Sequence, residues 1–340
     1  MEAGFFPLDQ KLKLEAYRQT SIGLEKIVCE LGVRLPYRQV SQVMAETMKV
    51  SISDRQTEHI LDRHGQRAIA QREEEIEAAW HAPEPVGRQP EGPEVLYIEA
   101  DGAWINSRER LKMEGKIGLV HQGPVKIGKN RHQLKEAVYV CSFQGSERLG
   151  EELYLEAEWQ GLERAQHLIF LSDGDAALRT IQQTHFFDAR YVLDWFHLRR
   201  NLYRALRPAR AELDNDYLAA CYMTFKDLLW FGEIDLVIER LTRLRGRVRL
   251  AKSRDAITDF KAFILNNQDG IFHDGLSYAD LYEQGFHVGS GPIEKAADLI
   301  VNRRCELRGM TWYRDTADGI CNLRALYFND PQRWQDFWPA

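Results

Sequence analysis

After a Pro- and Gly-rich stretch at 81–94, the chain lays down three strand-like apolar runs in succession, at 95–101, 116–121 and 137–143. No helical pattern intervenes between them. A helical segment at roughly 148–164 follows, then a strand at 167–172, a helix at about 174–184, a strand at 190–194 and a long helix from 195. Three consecutive strands make a meander, and the alternation after them adds parallel strands to the same sheet. The order β-β-β-α-β-α-β-α is that of a ribonuclease H-like core, so an α/β fold is expected.

The rest of the chain reads as helical. Residues 8–35 carry apolar residues at helical spacing, with Gly32 near a stop. Residues 37–64 have the form of a helix-turn-helix: Val40, Val43, Met44 and Met48 mark one amphipathic helix, and Ser53 caps a second that runs through Asp62. Arg55, Gln56, Glu58 and His59 would lie exposed at the start of that second helix, where a recognition helix meets base edges. The expected organisation is therefore a helical DNA-binding region at 1–80 and a linker at 81–94. The first part of the core spans 95–205, a helical insertion 206–288, the last catalytic helix of the core 289–330, and a tail 331–340.

Composition bounds the function. With 340 residues, 44% apolar and 28% charged, the chain has an ordinary globular make-up. No run approaches the roughly 18 apolar residues of a membrane helix. The N-terminus lacks the basic start and apolar run of a secretory signal, so a cytoplasmic protein without membrane partners is expected. Cys29, Cys141, Cys221, Cys305 and Cys321 form no C-x-x-C pair, which leaves reduced thiols rather than a zinc ribbon or disulfide framework. The net charge of −6 argues mildly against nucleic acid, but its distribution matters more than the total. Arginines gather at Arg199, Arg200, Arg204, Arg207 and Arg210, again between Arg240 and Arg254, and at Arg303, Arg304 and Arg308. Each such cluster is otherwise an ordinary solvated helix face.

Three acids have the setting of metal ligands. Asp101 and Asp173 each end an apolar run and precede glycine, and Asp173 falls at the carboxyl end of a parallel strand, where ligands gather. Asp175 is a rival two residues on. Alone, an Asp-Gly of this kind is usually a turn. Glu294 follows Gly289-Ser290-Gly291-Pro292, a helix start, where an acid is also favoured by the helix dipole alone. Ala297 and Val301 share its face, and Arg304 and Arg308 continue on nearly the same side. Three carboxylates suit Mg²⁺, which prefers oxygen ligands and keeps several waters. A pair of such ions can serve both the attacking and the leaving oxygen of a phosphodiester. In Asp194-Trp195-Phe196-His197, Asp194 reads as the cap of the next helix and His197 as a residue of its first turn.

Together these words resemble bacterial DDE insertion-sequence transposases related to the Mutator group, and most closely the ISKra group. The resembling segments are Asp101-Gly102-Ala103, Ser172-Asp173-Gly174, Leu193-Asp194-Trp195-Phe196-His197, and Gly289 to Ala296 running on through Arg303 and Arg308-Gly309-Met310-Thr311-Trp312. The resemblance covers roughly 95–325. It implies that Asp101, Asp173 and Glu294 are the catalytic metal-binding triad, holding two Mg²⁺ ions, with Mn²⁺ as the substitute. Asp194 and His197 match that group's D-x-x-H word, with a structural or DNA-contacting role. It further implies double-stranded DNA with terminal inverted repeats and a target DNA as partners, and a homodimer or larger assembly associated with the nucleoid. Arg55, Arg199, Arg200, Arg304, Arg308 and Trp312 are the expected DNA contacts, Trp312 by stacking on an unpaired base or else as a core aromatic. The chain lacks the cysteine-paired N-terminal segments of larger members and reads as a short or truncated one. The alternatives are an inactive or domesticated copy that only binds DNA, a structure-specific nuclease on the same fold, and an unrelated metabolic enzyme whose three acids lie far apart.

Overall fold

The computed structural model describes residues 20–82, 92–129 and 131–339. Its centre is a five-stranded mixed sheet. β1 (Val95–Asn106), β2 (Lys112–His121) and β5 (Val138–Ser142) form the meander, and β6 (His167–Ser172) and β7 (Arg190–Leu193) are added parallel to β1. The spatial order is β5-β2-β1-β6-β7. An α/β fold is therefore present, as the strand-like runs implied. β1 and β2 are longer than the expected 95–101 and 116–121. Between β2 and β5 the chain also makes a separate two-stranded ribbon, β3 (Pro124–Gly128) and β4 (Arg131–Leu134), where no strand was expected.

Helices cover both faces, which is why β1 is buried on both sides from Leu96 to Ala100. One core joins Leu96, Ile98, Phe170, Leu171, Leu198 and Leu202. That same core continues into the helices of 206–288 through Leu229, Leu241, Ile257 and Tyr278. The expected insertion is thus helical, and it shares its interior with the sheet. A second core packs Ile105, Ile117, Leu119 and Phe143 against Val28, Val40, Met44, Leu61, Ile300 and Ile320.

That second core corrects several boundaries. The N-terminal helices α1 (Ile22–Gly32), α2 (Tyr37–Val43) and α3 (Asp54–Trp80) are built into it. The start of the expected helix 8–35 and most of the linker 81–94 lie outside the described residues. Gly32 does end α1, in close contact with the Leu61 side chain. α3 does not stop at Asp62. Its Ser53–Gln56 capping box starts it as expected, and Ile60, Leu61, Ile69 and Ile76 keep one buried stripe going to Trp80. Met48 is half-exposed, because a π turn at Met44–Met48 rotates it out of line with Val40 and Met44. After β5 come α4 (Ser146–Trp159) and, between β6 and β7, α5 (Ala176–His185). Residues 331–340 are no tail: Trp334, Phe337 and Trp338 are buried. Trp338 lies against His64, with the ring centroids 4.6 Å apart.

Candidate active site

The parallel pairing of β1 and β6 ends with Ala100 opposite Ser172. One residue further on, each strand presents an aspartate, Asp101 and Asp173. Paired strands lie about 4.8 Å apart, so this register brings the two carboxylates to neighbouring positions. Asp173 leads into Gly174, whose φ of 89° suits glycine and whose missing side chain leaves room for Leu193 and Phe263. Asp173 accepts a hydrogen bond from the Asp175 amide at 2.9 Å. Asp175 itself accepts from the Ala177 and Leu178 amides as the cap of α5. The rival acid is therefore the helix cap, while Asp173 accepts one amide in the turn before it.

Among the described residues Asp101 accepts only from the amide of its own neighbour Gly102, at 2.7 Å. Burial pushes its carboxyl up to about 6, and the Asp173 charge adds to this, while the Gly102 amide and His197 oppose it. Among the described residues no basic side chain forms an ion pair with it.

Glu294 is placed by a different device. The helix Gly291–Ala297 begins with Pro292 in its first turn. Two fully buried carboxylates hold its entry. Asp194 accepts from the Ser290 amide at 2.7 Å, and Glu99 accepts from the Ile293 amide at 3.2 Å. Buried acids at a helix N-terminus meet unsatisfied N–H groups there. Glu294 itself is exposed and accepts from the Ser290 hydroxyl at 3.3 Å.

Asp194 also caps the helix Trp195–Leu206 through the Phe196 and His197 amides, and it pairs with the His197 ring. The D-x-x-H word is thus a brace between two helices. Burial favours the neutral form of Asp194, but the His197 hydrogen bond and the amides outweigh it and hold the carboxyl down. Burial likewise opposes a charge on His197, and Asp194 overcomes it and raises the imidazole. Glu99 pairs with His121 at 2.9 Å, and both are fully buried. Tyr97 stacks on His121 with the ring centroids 4.9 Å apart, and its hydroxyl accepts from the His287 amide. The sequence reading did not single out Glu99. Its signal was a charge inside an apolar run, two residues before Asp101 and so on the same strand face.

Asp101, Asp173 and Glu294 all line one open cavity of about 440 Å³, with His197 beside them. Asp175, Glu114 and Glu306 bring the lining carboxylates to six, against Lys112, Lys116 and Arg200. Lys116 forms ion pairs with Glu114 at 3.0 Å and with Asp175 at 3.7 Å. Among the described residues no three His, Cys, Asp or Glu side chains stand together as a ready-made metal centre. The donor set still fits a hard divalent cation: unpaired carboxylate oxygens in a cavity with excess negative charge, one of them held partly neutral by burial.

The expected DNA contacts divide. Arg55, Arg199, Arg200 and Arg308 are exposed, and Arg200 reaches the cavity with its guanidinium over the exposed Phe196 ring. Arg304 and Trp312 are corrections. Arg304 is fully buried, donates to the Gly32 carbonyl and lies between the Tyr37 and Trp312 rings. Trp312 is 5% exposed and donates its indole N–H to the Cys305 carbonyl, so it is the core aromatic of the two readings. A π turn at Asp298–Asn302 interrupts the Glu294 helix and resets the face on which Arg304 emerges.

A family model described as "Uncharacterised protein family (UPF0236)" matches residues 4–335 of this chain. A Streptococcus gallolyticus protein described as "UPF0236 protein in vanSb 3'region" is 28% identical over 335 residues, which cover 96% of this chain and 68% of that protein.

Proposed function

The chain belongs to the UPF0236 family, and we propose that it is a DDE transposase of the ISKra type. It would cut DNA at the ends of an insertion sequence and join the exposed 3′-OH to a target. The observation that carries this reading is the convergence of Asp101, Asp173 and Glu294, from two strand ends and a distant helix, on one cavity. The strand order β5-β2-β1-β6-β7, with three antiparallel strands and two parallel additions, supports a ribonuclease H-like core once the β3–β4 ribbon is set aside.

Asp101, Asp173 and Glu294 would hold the metal, Mg²⁺ or Mn²⁺. Bound there, such ions sharpen an oxygen nucleophile and stabilise the leaving 3′ oxygen. The chain's own residues perform the rest. Asp194 and Glu99 fix the entry of the Glu294 helix, so that a flexible acid projects from a rigid base. His197, kept basic by Asp194, and Arg200 place positive charge at the cavity edge, where a phosphodiester would lie. The partners would be element ends and target DNA, with two copies of the chain bringing two ends together. The absence of any described helix long and apolar enough to cross a membrane agrees with such partners.

The test is a Mg²⁺-dependent cleavage and strand-transfer assay on DNA carrying the element's own flanking repeats, with Glu294→Gln alongside. Joined products from the natural chain and none from the variant are expected. Cleavage without joining would favour a structure-specific nuclease. DNA binding without cleavage by either protein would make it a binding protein only.

A further inference from the structure

The β3–β4 ribbon has no evident reason to persist in the fold. It pairs only with itself, and Val125, Lys126, Ile127, Lys129, Arg131 and His132 are all exposed. A two-stranded hairpin without a packed face is marginal in water. This one is nevertheless closed at its base by paired amides and carbonyls, from Gln122 to Lys135 and from Lys135 to Gly123. Its composition is as lopsided as its exposure. Residues 122–135 contain Lys126, Lys129, Arg131 and Lys135 and no acid, in a chain whose net charge is −6. Among the described residues none of these four cations takes an ion-pair partner.

The ribbon also overhangs a groove of about 810 Å³. His132 and Gln133 of the ribbon line it together with Lys295 and Arg333 of the body, while Lys126, Lys129, Arg131 and Lys135 stand outside the lining. Glu136 and Asp330 are the acids of the lining, and Arg333 is engaged with buried Glu156. Lys295 adjoins Glu294, so the groove runs up to the helix that carries the third acid of the candidate active site.

We propose that the β3–β4 ribbon is a DNA clamp, whose exposed cations grip the phosphate backbone of a duplex led through this groove toward Asp101, Asp173 and Glu294. A ribbon of two strands fits the width of a duplex groove, and cations spread over one projecting element neutralise successive phosphates. The inference rests on the DNA reading above only for the kind of ligand. It adds a binding element that neither the family match nor the acids supply.

The experiment measures binding of the full chain to a labelled duplex of about 30 base pairs by fluorescence anisotropy, over about 50 to 200 mM salt. The variant is Lys126→Ala, Lys129→Ala, Arg131→Ala and Lys135→Ala combined. These side chains lie outside both cores, so the thermal midpoint should not move. The expected result is binding at least about tenfold weaker, with the slope of log affinity on log salt shallower by about 0.9 for each phosphate no longer neutralised. Equal affinity and slope in the quadruple variant would overturn the clamp. So would a natural chain that binds no DNA at the lowest salt, which would leave an acidic protein face as the ribbon's partner. A chain that loses binding with the ribbon yet never cuts DNA would sink the transposase reading and leave the clamp standing.

Discussion

Asp101→Asn offers the sharpest check on the site's electrostatics, because its effect on stability should run opposite to that of an ordinary buried-residue change. The Asp101 carboxyl is raised from 3.8 to about 6 in the fold. The folded chain therefore holds a proton that the unfolded chain releases. The associated stability is fully present below about pH 4 and is lost as pH rises through about 6. Two units correspond to about 3 kcal/mol. For 340 residues, at about 2 cal/mol/K of unfolding entropy each, that is roughly 4 °C in the midpoint. Asparagine keeps the shape and the oxygen that receives the Gly102 amide, but cannot ionise. The variant should match the natural chain near pH 4 and exceed it by about 3 kcal/mol near pH 8, in metal-free buffer. Glu152, pushed up to about 7 by burial against the pull of Arg72 and Arg148, titrates in the same window. It does so in both proteins, and the difference between their pH profiles removes it. Divalent cation should then close most of that gap. Mg²⁺ at about 100 times its Kd stabilises a binding protein by about 2.7 kcal/mol, and only the natural chain should respond. Calorimetry or urea unfolding across pH, with and without Mg²⁺, reads both effects. A variant less stable than the natural chain at pH 8, or equally stabilised by Mg²⁺, would refute the account of Asp101 as an unpaired, cation-seeking carboxylate.

Glu99→Ala should cost about 3–5 kcal/mol in urea unfolding, since it strands the buried His121 ring and the Ile293 amide together. At permissive temperature the same variant should lose strand cleavage while keeping DNA affinity, because it loosens the base of Glu294 and leaves the cationic surface alone; unchanged cleavage would show that the brace does not position the acid. Gly65→Ala should destabilise by about 1–3 kcal/mol, because its new carbon would fall 2.7 Å from the backbone of Gly319. That exceeds the roughly 1 kcal/mol that alanine gains in a helix. Gly319→Ala, whose nearest atom is at 3.3 Å, should cost less, and a reversed order in thermal denaturation would contradict this helix packing.

What could be read in the sequence, and what could not, follows from which interactions are local. The strands of the sheet announced themselves as apolar runs, and Asp101 and Asp173 as the points where those runs stop at glycine. Ser53 and Asp194 were legible as caps because a cap satisfies amides only two or three residues away. The β3–β4 ribbon was not legible, because a strand exposed on both faces has no alternation to detect. The two π turns were equally silent. Each inserts backbone without a composition signal, and each moved the residues after it, Met48 and Arg304, off the face that a regular helix would give them.

Arg304 shows the deeper limit. Its sequence neighbours, Arg303 and Arg308, are exposed, and nothing local separates it from them. Its burial is decided by the Gly32 carbonyl and by Tyr37, more than 260 residues earlier in the chain, together with Trp312. The same holds for the Glu294 helix. Its start was plain from Ser290, Gly291 and Pro292, yet its position is set by Glu99 and Asp194, each buried and each reached only through the sheet. Those two acids are committed to amides and imidazoles. Asp101, Asp173 and Glu294 each accept one short-range hydrogen bond, from the Gly102 amide, the Asp175 amide and the Ser290 hydroxyl, and among the described residues none of them forms an ion pair. The braced pair is hydrogen-bonded and closed to solvent, and so holds the frame. The open three line the cavity, and on the proposed reading they are the acids that would take a cation.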